Sequence, residues 1–175
     1  MNLKDISNED IIDLSVEGTN KEEVLTNMAK LLYSNGYIDS VEQFVKDIYE
    51  REAEGPTGMG CGISIPHGKS NAVKKIGICI GKTKNEITWE TAMFSSGIQK
   101  TNLIFLFCVS VDNSFAENHM KLLSELAGKL GNEARVAALS KAKTKEEVVD
   151  LILCDDDKLE SVDSSEEIVD LDIDF

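Results

Sequence analysis

Two histidines, an arginine and a run of glycines carry the chemistry open to this 175-residue chain. Residues 51–69 read R-E-A-E-G-P-T-G-M-G-C-G-I-S-I-P-H-G-K and contain both prolines of the protein, Pro56 and Pro66, and one of its two histidines, His67. Glycine reaches backbone geometries closed to other residues, and proline fixes φ at about −65°. The stretch therefore reads as a shaped loop, a short strand around Ile63–Ile65, and a stop at Pro66-His67-Gly68, where Gly68 lets the chain turn away. The imidazole is then presented at a strand end, where α/β proteins place their reactive groups. The plain alternative is a glycine-rich turn with a surface histidine.

A neutral imidazole at that position can act as a general base, a metal ligand or a nucleophile, because its ordinary pKa of about 6.5 leaves it largely unprotonated near neutrality. One ring nitrogen can attack phosphorus if the other keeps its proton on a fixed acceptor. Phosphoryl transfer then needs donors around the equatorial oxygens. Arg51 can supply a planar fork to them, or be an ordinary helix-end cation favoured by the dipole. Thr57 and nearby loop amides can add donors, or Thr57 can simply shape the turn. His119 falls near the start of a helix, where backbone N–H groups favour an anion; there it can hydrogen-bond a phosphoryl group or sit as a helix-face histidine.

Other chemistries fit less well. Gly68-Lys69-Ser70 lacks the first glycine of a Walker loop, and the G-x-G-x-G run is not a dinucleotide fingerprint, so a nucleotide cofactor is not indicated. His67, His119 and Cys61 lack the i,i+3 or i,i+4 pairing usual for zinc, so no metal site is expected.

The surrounding pattern indicates what must hold these groups. Ile11 to Leu14 reads as an edge or first strand. Thr19-x-x-Glu22 matches a capping box and opens a helix with Val24, Leu25, Met28, Leu31 and Leu32 in one stripe, closed by Asn35-Gly36. Asp39-x-x-Glu42 opens a second helix that carries Arg51 in its last turns. Val73 to Lys82 reads as a strand whose small face, Gly77, Cys79 and Gly81, invites a close helix; Glu86 to Trp89 reads as a separate short strand. Leu103 to Val111 is apolar throughout, as in a central strand covered on both faces. After a turn at Asp112-Asn113-Ser114, a helix runs through His119, Leu122, Leu123, Leu126 and Leu130 to Gly131. A short helix over Asn132–Leu139 follows, and Thr144-x-x-Glu147 caps a last one. Strands interleaved with helices predict an α/β layered domain with a central mixed β-sheet flanked by helices.

The net charge of −14 argues against nucleic acid or an anionic membrane surface as partner. Ten acids against Lys158 give residues 155–175 a charge of −9, leaving −5 for residues 1–154. The expected division is a domain over 1–154 and an acidic tail or linker over 155–175, dispensable for chemistry, so that a chain ending at Cys154 folds and works. Within the tail, Val169, Leu171, Ile173 and Phe175 alternate with aspartates, a strand-like pattern set against the reading of a frayed terminus. The N-terminus lacks the apolar core of a signal peptide, and no apolar run is long enough to span a membrane. Cys61, Cys79, Cys108 and Cys154 are widely spaced and read as thiols in a reducing cytoplasm.

The pattern R-E-x-x-x-x-T-G-x-G-x-G-I-x-I-P-H-G closely resembles the active-site segment of enzyme IIA domains of the fructose/mannitol type, from the bacterial sugar phosphotransferase system. The likeness runs from about Ile11 to about Leu153 and includes His119-Met-Lys-Leu-Leu-Ser-Glu-Leu-Ala127, similar to that family's second histidine helix. Ser64 stands where the family usually has alanine. The resemblance implies a cytoplasmic phosphocarrier in which Nε2 of His67 takes a phosphoryl group from the carrier protein HPr and passes it to a cysteine of an enzyme IIB domain. His119, Arg51 and Thr57 would surround the group, with no cofactor, no sugar contact, and the membrane reached only through a IIC transporter. Relatives that act as phosphorylation-dependent regulators share the motif, so a regulatory role is the other reading it implies.

Overall fold

The computed structural model describes residues 2–111, 116–156 and 159. The chain runs through α1 (Leu3–Ile6), β1 (Ile12–Val16), α2 (Lys21–Ser34), α3 (Val41–Glu52), β2 (Gly58–Gly60), β3 (Ile63–Ser64), β4 (His67–Ser70), β5 (Gly77–Glu90), β6 (Ile98–Ser110), α4 (Ala116–Leu130), α5 (Glu133–Lys141) and α6 (Lys145–Leu153). The six strands form one mixed sheet in the order β1-β5-β6-β3-β2, with β4 also paired to β6. β1 is parallel to β5, β5 antiparallel to β6, and both β3 and β4 are parallel to β6.

Alternation along β6 builds the two layers. Ile104, Leu106 and Cys108 join Leu25, Met28, Phe44 and Ile48 of α2 and α3 in one apolar cluster. Leu103, Phe105, Phe107 and Val109 join Leu122, Leu126, Leu139, Val148 and Ile152 of α4, α5 and α6 in the other. A strand that is apolar on both faces must be roofed twice, and that requirement gives the α/β layering expected from the sequence. The small face of β5 lies under α2: a Cβ at Gly81 would sit 2.9 Å from Met28 Sδ.

Some local signals resolve differently. The first capping residue is Asn20, which accepts from Glu23 N, while Glu23 Oε1 accepts from Thr19 N and Oγ1. The second is Ser40, not Asp39. In both cases two capping-competent residues stand side by side, and the apolar stripe that must face the core selects the register. Thr144 caps α6 as expected. Glu86–Trp89 is the second half of β5, joined to the first across an irregularity between Lys82 and Ile87. The turn at 112–114 and the alternating segment 169–175 lie outside the described residues.

Candidate functional site

β3 and β4 keep the same offset against β6, Ile63 opposite Leu103 and His67 opposite Phe107. They are one parallel strand interrupted at Ile65-Pro66. Proline removes a single ladder donor, and the Pro66 carbonyl still accepts from Phe107 N at 2.9 Å. His67 is thus the first residue of a resumed strand rather than the end of one, which corrects the expected stop. The register puts its side chain on the face of Phe107, toward α4. Gly68 falls on the opposite face, toward α3, where a Cβ would lie 3.2 Å from the Asp47 carbonyl oxygen and 3.3 Å from Arg51 Cβ. Its missing side chain seats α3 against β4; it does not turn the chain. Ser70 Oγ, donating to Asp47 Oδ2 at 2.5 Å, ties the same two elements.

His67 Nδ1 lies 2.9 Å from the Ile65 carbonyl oxygen. A carbonyl only accepts, so Nδ1 carries the proton and the lone pair of the neutral ring is on Nε2. Burial holds the imidazole pKa below its ordinary value; the Ile65 hydrogen bond works against this, Arg51 adds to it and Glu52 opposes it. The ring is therefore largely neutral near pH 7, with its Nε2 lone pair held in a fixed orientation.

His67 opens on a pocket of about 650 Å³ at the free edge of β4, between α3 and α4. Arg51 and His119 line the same pocket, so three of the four sequence-selected residues come together. Arg51, in the last turn of α3, donates from Nη1 to the Gly55 carbonyl oxygen at 3.0 Å, which pins the guanidinium to the start of the glycine loop. A guanidinium has five N–H donors, so this bond fixes the fork without exhausting it. His119, the fourth residue of α4, is buried. Asp47, Glu50 and Glu54 give the α3 side of the pocket an acidic rim, and the exposed Met120 gives the α4 side an apolar one.

The family model for the phosphoenolpyruvate-dependent sugar phosphotransferase system, EIIA 2, matches residues 5–154. The chain belongs to this EIIA family. It is 31% identical over 158 residues to the PTS system 2-O-alpha-mannosyl-D-glycerate-specific EIIABC component of Escherichia coli (strain K12), covering 90% of this chain and 23% of that protein. It therefore spans less than a quarter of that relative's length. It is 29% identical over 133 residues to the PTS system fructose-like EIIA component of the same organism, covering 76% of this chain and 86% of that one. Among solved structures, the nitrogen regulatory protein IIA-Ntr from Neisseria meningitidis superposes with a TM-score of 0.73 at 26% identity, covering 85% of this chain and 97% of that chain.

Thr57 is placed differently from the other three. In this EIIA chain its hydroxyl donates to Glu52 Oε1 and accepts from Trp89 Nε1 at 3.0 Å. The residue is buried and does not line the pocket. The expected hydroxyl donor to a phosphoryl group is not what this geometry provides. Glu52 is in turn bound by Lys21 Nζ at 2.8 Å. Sequence reasoning missed Lys21, although a signal was there: a lysine at the first position of a helix opposes the dipole. Gln99 was missed as well. Its amide accepts from Gly60 N at 2.7 Å and donates to the Ile63 carbonyl at 2.8 Å, clamping the β2–β3 turn from β6. Ser64 Oγ lies 2.7 Å from Thr101 Oγ1 in the same buried network. Among the described residues, no group of three or more His, Cys, Asp or Glu side chains could hold a metal ion, and no helix is long and apolar enough to cross a membrane.

Proposed function

We propose that this EIIA chain is a phosphocarrier: His67 accepts a phosphoryl group from phosphorylated HPr and passes it to a cysteine of an enzyme IIB domain. The observation that carries the reading is the 2.9 Å contact of Nδ1 with the Ile65 carbonyl, which leaves the lone pair on Nε2. In the first step that lone pair attacks the donor's phosphorus, the donor P–N bond breaks, and its electron pair returns to the donor ring. In the second, a IIB cysteine thiolate attacks the same phosphorus and the P–Nε2 bond breaks, restoring neutral imidazole. Arg51 and His119 stabilise the equatorial oxygens, since such transfers depend on positioning and charge stabilisation. The acidic rim of Asp47, Glu50 and Glu54 suits partners with a basic rim. The mannosylglycerate-specific relative carries A, B and C components by name, which supports a IIB partner; the sugar itself would not meet this domain. The likeness to a nitrogen regulatory protein favours a second reading, in which the phosphorylation state of His67 controls binding to other proteins.

The test is incubation with phosphorylated HPr followed by candidate IIB domains. Label that reaches His67 and then a IIB cysteine supports the transport role. Label that stays on His67 against every IIB favours regulation, and no label at all rules out the carrier. Arg51→Lys is expected to fold normally and accept phosphate about tenfold more slowly, because lysine keeps the charge and loses the bidentate fork, a loss on the order of 1–3 kcal/mol. Single-turnover labelling measures it; an unchanged rate would reduce Arg51 to a helix-end cation.

A further inference from the structure

A chain of hydrogen bonds reaches His67 from a part of the fold that does not line the pocket. Lys21, the first residue of α2, is buried, and its Nζ donates to Glu52 Oε2 at 2.8 Å and to Glu90 Oε2 at 2.9 Å. The same nitrogen lies 4.7 Å from the centre of the Trp89 ring and 5.5 Å from that of Tyr49. Glu52 Oε1 accepts from the Thr57 hydroxyl, which also accepts from Trp89 Nε1. The Thr57 carbonyl accepts from Ile65 N at 3.1 Å, and the Ile65 carbonyl accepts from His67 Nδ1 at 2.9 Å.

We propose that Lys21, Glu52 and Thr57 are positioning residues for the phosphoryl acceptor, fixing the Ile65 peptide and through it the Nδ1–H tautomer and ring orientation of His67. The inference rests on the reading of His67 as a nucleophile. Three observations carry it. Ile65 lies in the gap between β3 and β4, so its N–H bonds to Thr57 and its plane is set from the glycine-loop side. Thr57 is held from three directions, by α3 through Glu52, by β5 through Trp89, and by the Ile65 amide. Finally, Lys21 is an uphill choice for a helix N-terminus, since a buried cation there costs both desolvation and dipole energy. Two carboxylates and two aromatic faces offset that cost. A plain helix start needs none of this; a rigid anchor for Glu52 does. Glu52 also follows Arg51 directly, and its charge opposes that of Arg51 at the imidazole.

Ring-nitrogen NMR on the full chain separates positioning from folding. Wild type is expected to show His67 protonated on Nδ1 at neutral pH. Thr57→Val, which removes the hydroxyl at constant shape, is expected to populate both tautomers and slow phosphate acceptance by about 10- to 100-fold, the range for a misplaced reacting group. Thr57→Ser should restore both readouts. Lys21→Met, with Lys21→Arg as its conservative partner, gives the same comparison should Thr57→Val fail to fold. A variant that melts earlier but keeps the wild-type tautomer and rate overturns the proposal and leaves the network structural. Variants that show the tautomer response beside a wild type that takes up no phosphate would remove the carrier reading and keep the positioning.

Discussion

His67→Gln is expected to take up no phosphate from phosphorylated HPr, whereas wild type is expected to gain a single group that is lost on mild acidification and survives base. The bond proposed is a phosphoramidate to imidazole, labile in acid, unlike a phosphoserine or phosphothreonine ester. Glutamine keeps size, polarity and an N–H able to meet the Ile65 carbonyl, so the local fold stays and the lone pair goes. The pH profile of the wild-type rate carries independent information. Burial, reinforced by Arg51, sets the imidazole pKa below its ordinary value despite the Ile65 hydrogen bond and Glu52. Protonated imidazole has no lone pair to attack with. Acceptance should therefore be level at neutral pH and above, and decline only as the pH falls below about 6.5. A midpoint above that value would mean that Arg51 and burial do not act on the ring as the geometry implies. Labelling that survives His67→Gln and disappears in His119→Ala would reverse the roles of the two histidines. Acid-stable labelling would sink the phosphohistidine mechanism.

Much of the layering was legible in the sequence because it is repeated: alternation along Leu103–Val109 and helical stripes in three helices each say the same thing several times over. The candidate site was legible where a residue type is demanding. A histidine between proline and glycine announces itself, although the reasons differ from those expected. Pro66 interrupts a strand without ending it, because β6 offers the same parallel register on both sides of the gap. Gly68 is required for its missing side chain against α3 rather than for a turn. Partnerships over long separations were not legible. Nothing local says that the hydroxyl of Thr57 belongs to Glu52 and Trp89, or that Lys21 reaches residues 31 and 69 positions away. His67 and His119 reach one pocket because strand register puts one on the face of the helix that carries the other, and a single sequence encodes that only through resemblance.

Arg135→Met is expected to cost about 3 kcal/mol of stability, lowering the melting temperature by roughly 6–12 °C for a chain of this size. Arg135, near the start of α5, is completely buried. Its Nε donates to the Leu151 carbonyl at 2.8 Å, Nη1 to the Lys129 carbonyl at 3.0 Å, and Nη2 to the Cys154 carbonyl at 2.5 Å. Those acceptors lie at the C-terminal ends of α4 and α6, where the last carbonyls have no intrahelical partner and the dipole is negative. One guanidinium thus satisfies two helix ends at once, and Nη1 pairs with Asp156 Oδ1 at 2.8 Å besides. Methionine fills most of the volume and none of the bonds; the part-buried Lys129 and Leu151 carbonyls lose their guanidinium donors, a cost on the order of 1–3 kcal/mol, while the Cys154 carbonyl keeps Lys129 Nζ at 3.1 Å. Asp156 is 63% exposed, so its loss alone is mild. It does, however, move the working boundary. Leu159 is buried, so a chain cut after Cys154 loses an apolar contact and the Arg135 ion pair, whereas one cut after Leu159 keeps both. Thermal melts of Arg135→Met and the two truncations rank the effects, Arg135→Met largest and the cut after Leu159 smallest. A shift under about 2 °C for Arg135→Met would show that the two helix ends are satisfied without it. Below its melting point Arg135→Met should still accept one phosphate on His67, because the clamp holds α4 and α6 at their far ends and touches no residue of the pocket.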